Sequence, residues 1–421
     1  MTDARKTATF SGVALVLLLV TWATAPRVRP PAIFADRGEV LFPQFRDPNA
    51  AASLEVIQFD APSATVRPFK VQNRNGRWTI PSEHDYPTDA RDRLAQTAAA
   101  LIALKRDDFA SDNAADHERS GVLDPLDTTL PTRNGRGTRL IVRGTKDELL
   151  ADVIVGNPVE RSPGFRYIRQ PGQRRVYVSK VGDLKLSTAF GDWIDRDLLQ
   201  ISADEIDAVN LRNYSLNRSA RRIDPGDTML LQKTPDGWTI NGLSAREELD
   251  LGAVEVLLTN LTNLTIAGVL PKPPGITATL QRAISSTTIA QRDREDLARK
   301  GFYLSPDGQL ISNRGEVVIR TVYGVFYTLR FGDIAPGTDA PAAEATPREN
   351  RYLFIMVDFD RQSAGTPDRA AEGAERATLL RARFAPWYFV IAAESLAQVR
   401  AERRDLVKRD DAGPPRRTSS P

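Results

Sequence analysis

The chain has 421 residues, 41% of them hydrophobic and 26% charged, which suits two or three domains better than one core. Its 57 basic residues stand against 54 acidic ones, a net of +3, and no dense Lys/Arg stripe accompanies the pI of 9.1, so nucleic acid is set aside as a partner. There is no cysteine, which excludes disulfides, thiolate metal sites, thiol nucleophiles and iron–sulfur clusters.

The chain opens with an uncharged run, Phe10 to Ala25 (FSGVALVLLLVTWATA), preceded by Arg5 and Lys6 and ended by Pro26, Arg27 and Arg29. Two readings compete. Ala23-Thr24-Ala25 is a small-residue cleavage site for a signal peptide. Pro26 directly after it is poor for cleavage, which favours an uncleaved membrane anchor in residues 1–26, touching lipid through residues 7–25. Arg5 and Lys6 would keep the N-terminus in the cytoplasm, although Arg27 and Arg29 blunt the asymmetry. Later apolar runs are too short to span, so the remainder is expected outside the cytoplasm. Residues 27–50, with prolines at 30, 31, 43 and 48, read as a linker.

Two units follow, 51–200 and 201–400. In the first, SLEVIQF from Ser53 reads as a strand and Asn75–Pro81 (NGRWTIP) as a turn delivering another. A helix follows on Leu94, Ala98, Leu101 and Ile102. SGVLDP (Ser120–Pro125) is a glycine turn, after which TRLIVRG, LLADVIVGN and FRYIRQ form a strand meander. FGDW (Phe190–Trp193) and a short helical element close the unit.

The second unit repeats the order. EIDAVNL from Glu205 precedes PDGWTING (Pro235–Gly242), and Leu251, Val254, Leu258, Leu261 and Leu264 form the helix, with Ser244 to Glu247 read as its capping box. KGFYLSPDG (Lys300–Gly308), GEVVIRTVYG, FYTLRFGD, RYLFIMVDF and FAPW (Phe384–Trp387) then match the first meander, with Gly156 and Gly332 in corresponding places. Trp78 and Trp238 form one matched pair, Trp193 and Trp387 another. The second pair is spaced more widely, which implies insertions in the second copy. The Ala/Pro/Gly-rich stretches Ile334–Asn350 and Arg361–Arg376 are read as loops that supply them. Residues 401–421 form a charged tail, helical to about Arg409. The expected class is α+β: an N-terminal transmembrane helix, then two duplicated units, each a mostly antiparallel sheet with one long helix.

Residues able to carry chemistry are few. His84 and His117 lie in polar surroundings without zinc-type spacing and read as surface residues. Asp192, Asp195 and Asp197, and Asp358 with Asp360, are acid clusters suited to calcium or acid/base work, but the first lacks a second-copy counterpart. NGRGTRL at Asn134 and NRGEVV at Asn313 lack the lysine and following helix of a phosphate loop, and Ser120-Gly121 lacks the context of a nucleophile elbow. Asn213, Asn217, Asn260 and Asn263 begin N-x-Ser/Thr triplets that fit glycosylation poorly, the last two lying on a helix expected over 248–264. The paired tryptophans suit core anchors better than a ligand cleft, Trp and Ile of each WTI phrase sharing one strand face with the Thr turned away. No catalytic, cofactor-binding or metal residue is therefore assigned.

The phrases GRWTI, YPTDARDRLAQTAAALIAL, GVLDP, DVIVGN and FGDWIDRDLLQI resemble the bacterial domain-of-unknown-function family numbered 4340. The likeness covers most of 51–200 and, through the duplication, much of 201–400. It implies anchorage in the cytoplasmic membrane and an accessory role beside components resembling the gliding-motility-associated ABC transporter, with a permease or other envelope protein as partner. It carries no catalytic residue with it. The function expected is thus a non-enzymatic accessory of an ABC-type transport or envelope assembly. The alternatives are a scaffold or ligand-binding protein working without a transporter, and a carboxylate-dependent enzyme.

Overall fold

A computed structural model describes residues 3–24, 36–88, 91–182, 184, 186–217, 219–220, 222–281, 289–305, 308–335 and 349–409. The first element is helix α1 (Asp3–Thr24). Every one of its described side chains, 11–21, is exposed, and Leu18 reaches 70%. Among the described residues no helix is long and apolar enough to cross a membrane; of α1, only the side chains at 11–21 belong to that description.

The first sheet is built from β1 (Ser53–Asp60), β2 (Thr65–Arg74), β3 (Arg77–Ile80), β4 (Tyr86–Pro87), helix α2 (Arg91–Ile102), β5 (Asp108–Ser111), helix α3 (His117–Ser120), β6 (Thr138–Arg143), β7 (Leu149–Pro158), β8 (Phe165–Arg169) and β9 (Val176–Lys180). Its nine strands run in the order β4-β3-β2-β1-β6-β7-β8-β9-β5, every pair antiparallel. Leu94, Ala98 and Leu101 of α2 recur at helical spacing and bury one stripe in the core under this sheet.

The second half comprises β10 (Ile206–Arg212), β11 (Ser215–Asn217), β12 (Arg222–Asp224), β13 (Thr228–Thr234), β14 (Gly237–Ile240), β15 (Glu247–Leu249), helix α4 (Leu251–Thr262), β16 (Gly268–Pro271), helices α5 (Pro274–Gln281) and α6 (Gln291–Arg299), β17 (Phe302–Leu304), β18 (Leu310–Ser312), β19 (Glu316–Thr321), β20 (Val325–Ile334), β21 (Arg351–Phe359), helix α7 (Pro367–Phe384), β22 (Trp387–Ile391), helices α8 (Ala393–Val399) and α9 (Arg403–Leu406), and β23 (Val407–Arg409). Eight of these strands form a second antiparallel sheet, β14-β13-β10-β19-β20-β21-β22-β16. Laid beside the first, its strands occupy the same places in the same chain order. The first sheet has one extra edge strand, β4. The chain is α+β, with two large antiparallel sheets, and one continuous apolar cluster runs through both halves.

Close backbone approaches recur as well. Gly121 ends α3 with a left-handed φ of 68°, and Gly301 follows α6 with a φ of 84°. A Cβ on Gly156 would strike the Ser120 carbonyl, and one on Gly332 the Lys300 carbonyl. In both halves a strand glycine lets the sheet approach the helix end preceding a glycine turn.

Several expectations change. Trp193 and Trp387 are not equivalent: Trp387 opens β22, the counterpart of β9, whereas Trp193 follows β9 in a turn. Trp193 is fully buried, stacks on Phe69 at 5.4 Å and donates its indole N–H to the Ser187 carbonyl at 3.0 Å. Trp78 and Trp238 lie half-buried against the core with Ile80 and Ile240 beneath the sheet surface. Thr239 is exposed as its strand parity requires, but Thr79 is buried, because the turn after β3 returns Asp85 to its hydroxyl.

Arg361–Arg376, read as a loop, forms a short 3-10 turn and the first half of α7. Thr366 caps the helix and Pro367 begins it, while Ala370, Gly373, Ala377, Leu380 and Phe384 make its buried face. Small residues suggested a loop by composition, yet they are what lets α7 lie close on the sheet. Residues 336–348 fall outside the described residues. The Ser244–Glu247 exchange of hydrogen bonds closes a turn before β15; Asp250 caps α4, whose Leu251 is exposed.

The expected linker is only partly one, since Leu41, Phe42 and Phe45 enter the core and Val40 bridges to Lys105. Residues 401–409 are not a free tail. They form α9 and β23, which pairs with β15. The breakers Gly413, Pro414 and Pro415 lie outside the described residues.

Candidate functional site

The acid clusters singled out in the sequence are occupied locally. Asp192 bonds Ser187 and Arg196, Asp195 takes the Gln200 amide at 2.7 Å and Arg383 at 3.4 Å, and Asp197 accepts the Gln200 backbone N–H at 2.8 Å. Asp360 caps the 3-10 turn at Arg361–Ala364, and its hydrogen bonds from Ser363 and Gln362 hold its carboxyl below the ordinary range. Asp358 is exposed on β21. No group of three potential metal ligands occurs among the described residues.

His84 is exposed in a left-handed turn. His117 departs from its expected surface place. It is buried at the start of α3, with Nε2 2.7 Å from the Arg174 carbonyl. Gly135 in NGRG presses on Glu118, its carbonyl accepting the Leu123 N–H, so that loop is a structural bridge. Ser120 is buried. Asn217 accepts the Ala220 N–H, Asn260 is half-buried within α4 and Asn263 caps its C-terminus.

Two features escaped the sequence. The first is Lys272, between β16 and α5 and 5% exposed. Its Nζ donates to the Phe384 carbonyl at 3.0 Å and sits 3.9 Å from the Phe354 ring centroid and 5.6 Å from that of Tyr388. Burial pushes its amine well below the ordinary lysine value. Nearby, Asp296 accepts from Tyr388 at 3.0 Å and pairs with Lys300 at 2.6 Å. These groups are enclosed by α5, α6 and the aromatic residues Phe302, Phe354 and Tyr388, which form a separate apolar cluster on the sheet's other face. The motif PKPPG gives no hint of this, since prolines flanking a lysine ordinarily mark an exposed loop.

The second is a cleft. The chain after β22 turns back as α8 and α9, packing on α4 through Leu396, Val399 and Leu406. Asn213, just past β10, donates to the Ala401 carbonyl at 2.8 Å; Arg403 reaches the carbonyls of Asn241 at 3.1 Å and Gly242 at 2.6 Å; Lys408 pairs with Asp250 at 2.9 Å. Gly226 abuts the Asn213 carbonyl so tightly that a Cβ would collide with it. Between these contacts remains a cleft of about 640 Å³, lined by Asn213, Asp227, Arg351, Leu396, Arg400 and Arg404 among others.

The cleft's acids are committed. Asp227 accepts the Arg403 N–H at 3.1 Å, Asp405 the Glu402 N–H at 2.8 Å, and Glu402 pairs with Arg404 at 2.8 Å. Arg351, its side chain largely buried, keeps a 3.5 Å contact with Glu349. Arg400 is different. Its Nε is buried without a partner, no described residue accepts from its guanidinium, and burial with the charges of Arg314 and Arg351 lowers its pKa against the opposing charge of Glu402. The Asn213 Oδ1 on the same wall is also buried and unpaired. In the sequence Asn213 stands only at the start of a glycosylation triplet, and no local signal announces that residues 213, 351 and 400 line one cleft.

Residues 78–283 match the family model described as Domain of unknown function (DUF4340), a stretch running from β3 through the first sheet and on past α5. Neither a curated protein nor a solved structure matches the chain. The chain thus carries, over residues 78–283, a domain of the DUF4340 family.

Proposed function

We propose that this protein is a membrane-anchored, extracytoplasmic accessory of an ABC-type transport or envelope assembly, working by docking rather than by catalysis. The observation that carries the reading is α1. Seven large apolar side chains between Val13 and Val20 stand half or more exposed, and no polar face balances them. A helix apolar all round needs an apolar environment. The uncharged part of the helix, residues 7–24, rises about 27 Å, close to a hydrocarbon layer of about 30 Å. The anchor would be uncleaved, with Arg5 and Lys6 on the cytoplasmic side.

The two sheets, alike in strand order and in the glycine contacts at Gly156 and Gly332, support an internal duplication, each unit carrying a 12-residue helix, α2 or α4, to which the second unit adds the 18-residue α7. Two similar modules joined through one core make a broad docking body. DUF4340 resemblance favours a transporter permease as partner. The test is co-purification of the full-length chain, solubilised in mild detergent, with a permease, together with carbonate extraction of membranes. Retention in the carbonate-washed pellet and recovery of the permease are expected. Release into the supernatant would remove the anchor. Membrane retention with no transporter component recovered would replace the accessory role by an independent envelope scaffold.

A further inference from the structure

The two halves differ in how the outer faces of their sheets are covered. Phe354 pairs with Arg330, two residues before Gly332, and Arg169 pairs with Ile154, two residues before Gly156. The register thus puts Arg169 where the second half has Phe354. In the second half the chain leaving β16 covers that position: Lys272 sits 3.9 Å from the Phe354 ring centroid, and Ile276 of α5 joins the same apolar cluster. In the first half β5 reaches α3 through residues 112–116 alone, and a groove of about 390 Å³ opens beside Arg169.

Both walls of this groove are ordered. The loop 124–135 closes on itself, the Leu123 N–H donating to the Gly135 carbonyl at 3.0 Å and the Gly137 N–H to the Leu123 carbonyl at 2.9 Å. Arg136 fills it, donating to the carbonyls of Asp124 at 3.1 Å, Asp127 at 2.8 Å and Leu130 at 3.1 Å. The other wall is the β8–β9 turn, where His117 Nε2 meets the Arg174 carbonyl at 2.7 Å and Arg169 Nη1 donates to the Gln173 carbonyl at 2.9 Å.

Arg169 is only 7% exposed, and its Nε is spent on the Val122 carbonyl at 2.9 Å. Its third nitrogen, Nη2, has no acceptor among the described residues and stays open to the groove. A donor so placed loses a hydrogen bond that a seated ligand can restore. Burial lowers the pKa of Arg169, the charges of Asp124 and Asp127 opposing the shift and that of Arg139 adding to it. Two carboxylates thus stand against Arg169 and Arg174 in the lining, so an anion gains little and a neutral oxygen suits Nη2 better. The second half shows what kind of group covers this position: an extended stretch of polypeptide, Pro271 to Gly275, with three prolines. Proline-rich chain leaves its carbonyls unpaired and loses little entropy on docking.

We propose that the groove between the 124–135 loop and the β8–β9 turn docks an extended, proline-containing segment of a partner protein, uncharged where it crosses Arg169 and giving Nη2 a carbonyl oxygen. Leu126, 43% exposed on the rim, packs against the segment's apolar side chains. Docking of this kind needs neither the membrane anchor nor a permease, and it stands or falls separately from the transporter reading.

The probe is a synthetic peptide with blocked ends and the sequence of residues 270–276, LPKPPGI, made unchanged and with Lys272→Gln, which replaces the ammonium by a side-chain carbonyl. Each is titrated calorimetrically into the full-length chain in detergent. Saturable binding of the glutamine form is expected, with the lysine form about tenfold weaker because it brings a cation to Arg169. Arg169→Met should weaken the glutamine form by about tenfold, and Leu126→Asp by about fivefold. Leu379→Asp, exposed on α7, should leave it unchanged. No saturation below about 1 mM, equal or tighter binding of the lysine form, or indifference to both Arg169→Met and Leu126→Asp would overturn the proposal. Should Arg169→Met fail to fold, Leu126→Asp and the comparison of the two peptides still decide.

Discussion

Replacing Lys272 by methionine keeps the length of a buried side chain and removes its titration. In the folded chain Nζ has one carbonyl acceptor and an aromatic face, but no carboxylate within 4 Å among the described residues. Contact with the Phe354 and Tyr388 rings favours the ammonium by about 2 kcal/mol, and a neutral amine donates to the Phe384 carbonyl nearly as well. The burial cost of an ammonium is several kcal/mol, so desolvation wins and the amine is depressed. Below its ordinary value of 10.5, the unfolded chain therefore holds a proton that the native chain has released. Unfolding takes up that proton, and stability rises with pH between the depressed value and 10.5, by up to about 1.4 kcal/mol per pH unit.

Tyrosines act in the opposite sense but elsewhere. Burial raises Tyr327 and Tyr388 above their ordinary 10.0, so their contribution is complete below that pH and is lost only above it. Urea unfolding followed by tryptophan fluorescence between about pH 7 and 9.5 isolates the lysine. Wild type should gain stability with pH more steeply than Lys272→Met, the two curves diverging by up to about 1.4 kcal/mol per unit. Parallel curves would mean that Lys272 is charged in the native state, and the desolvation argument would be wrong.

Trp193→Ala empties a fully buried site and should cost about 3–5 kcal/mol, read from the urea midpoint. Gly156→Ala and Gly332→Ala each push a methyl against a backbone carbonyl and should each cost about 1–3 kcal/mol; if only one of them destabilises, the structural equivalence of the two positions fails. Arg383→Gln breaks a partly exposed pair with Asp195 and loses the Asp197 carbonyl as acceptor, a change expected near 1 kcal/mol by the same assay.

The WTI phrases, the glycine turns and the meander strands were legible because each is a local pattern: alternation along a strand, a turn residue at its end, an apolar stripe at helical spacing. That is why the α+β class and the order of elements in both halves could be read along the chain. The match of Trp193 to Trp387 failed because a shared F-x-x-W string carries no information about which strand it joins. Strand equivalence is set by hydrogen-bond partners far away in sequence. The stretch that became α7 was misread because alanine and glycine signal both a loose loop and a helix face pressed on a sheet, and only the Tyr323 carbonyl beneath Gly373 distinguishes them.

What the sequence by itself determined is therefore what near neighbours determine: the apolar run at the N-terminus, the absence of thiol chemistry, the strand and helix alternation written twice. Only the tertiary structure decided that Lys272 is enclosed and that Asn213, Arg351 and Arg400 share a cleft. Burial and charge convergence depend on which distant segments pack together, here the return of α8 and α9 across the end of β10, and no spacing along the chain encodes the loss of water that gives those residues their chemistry.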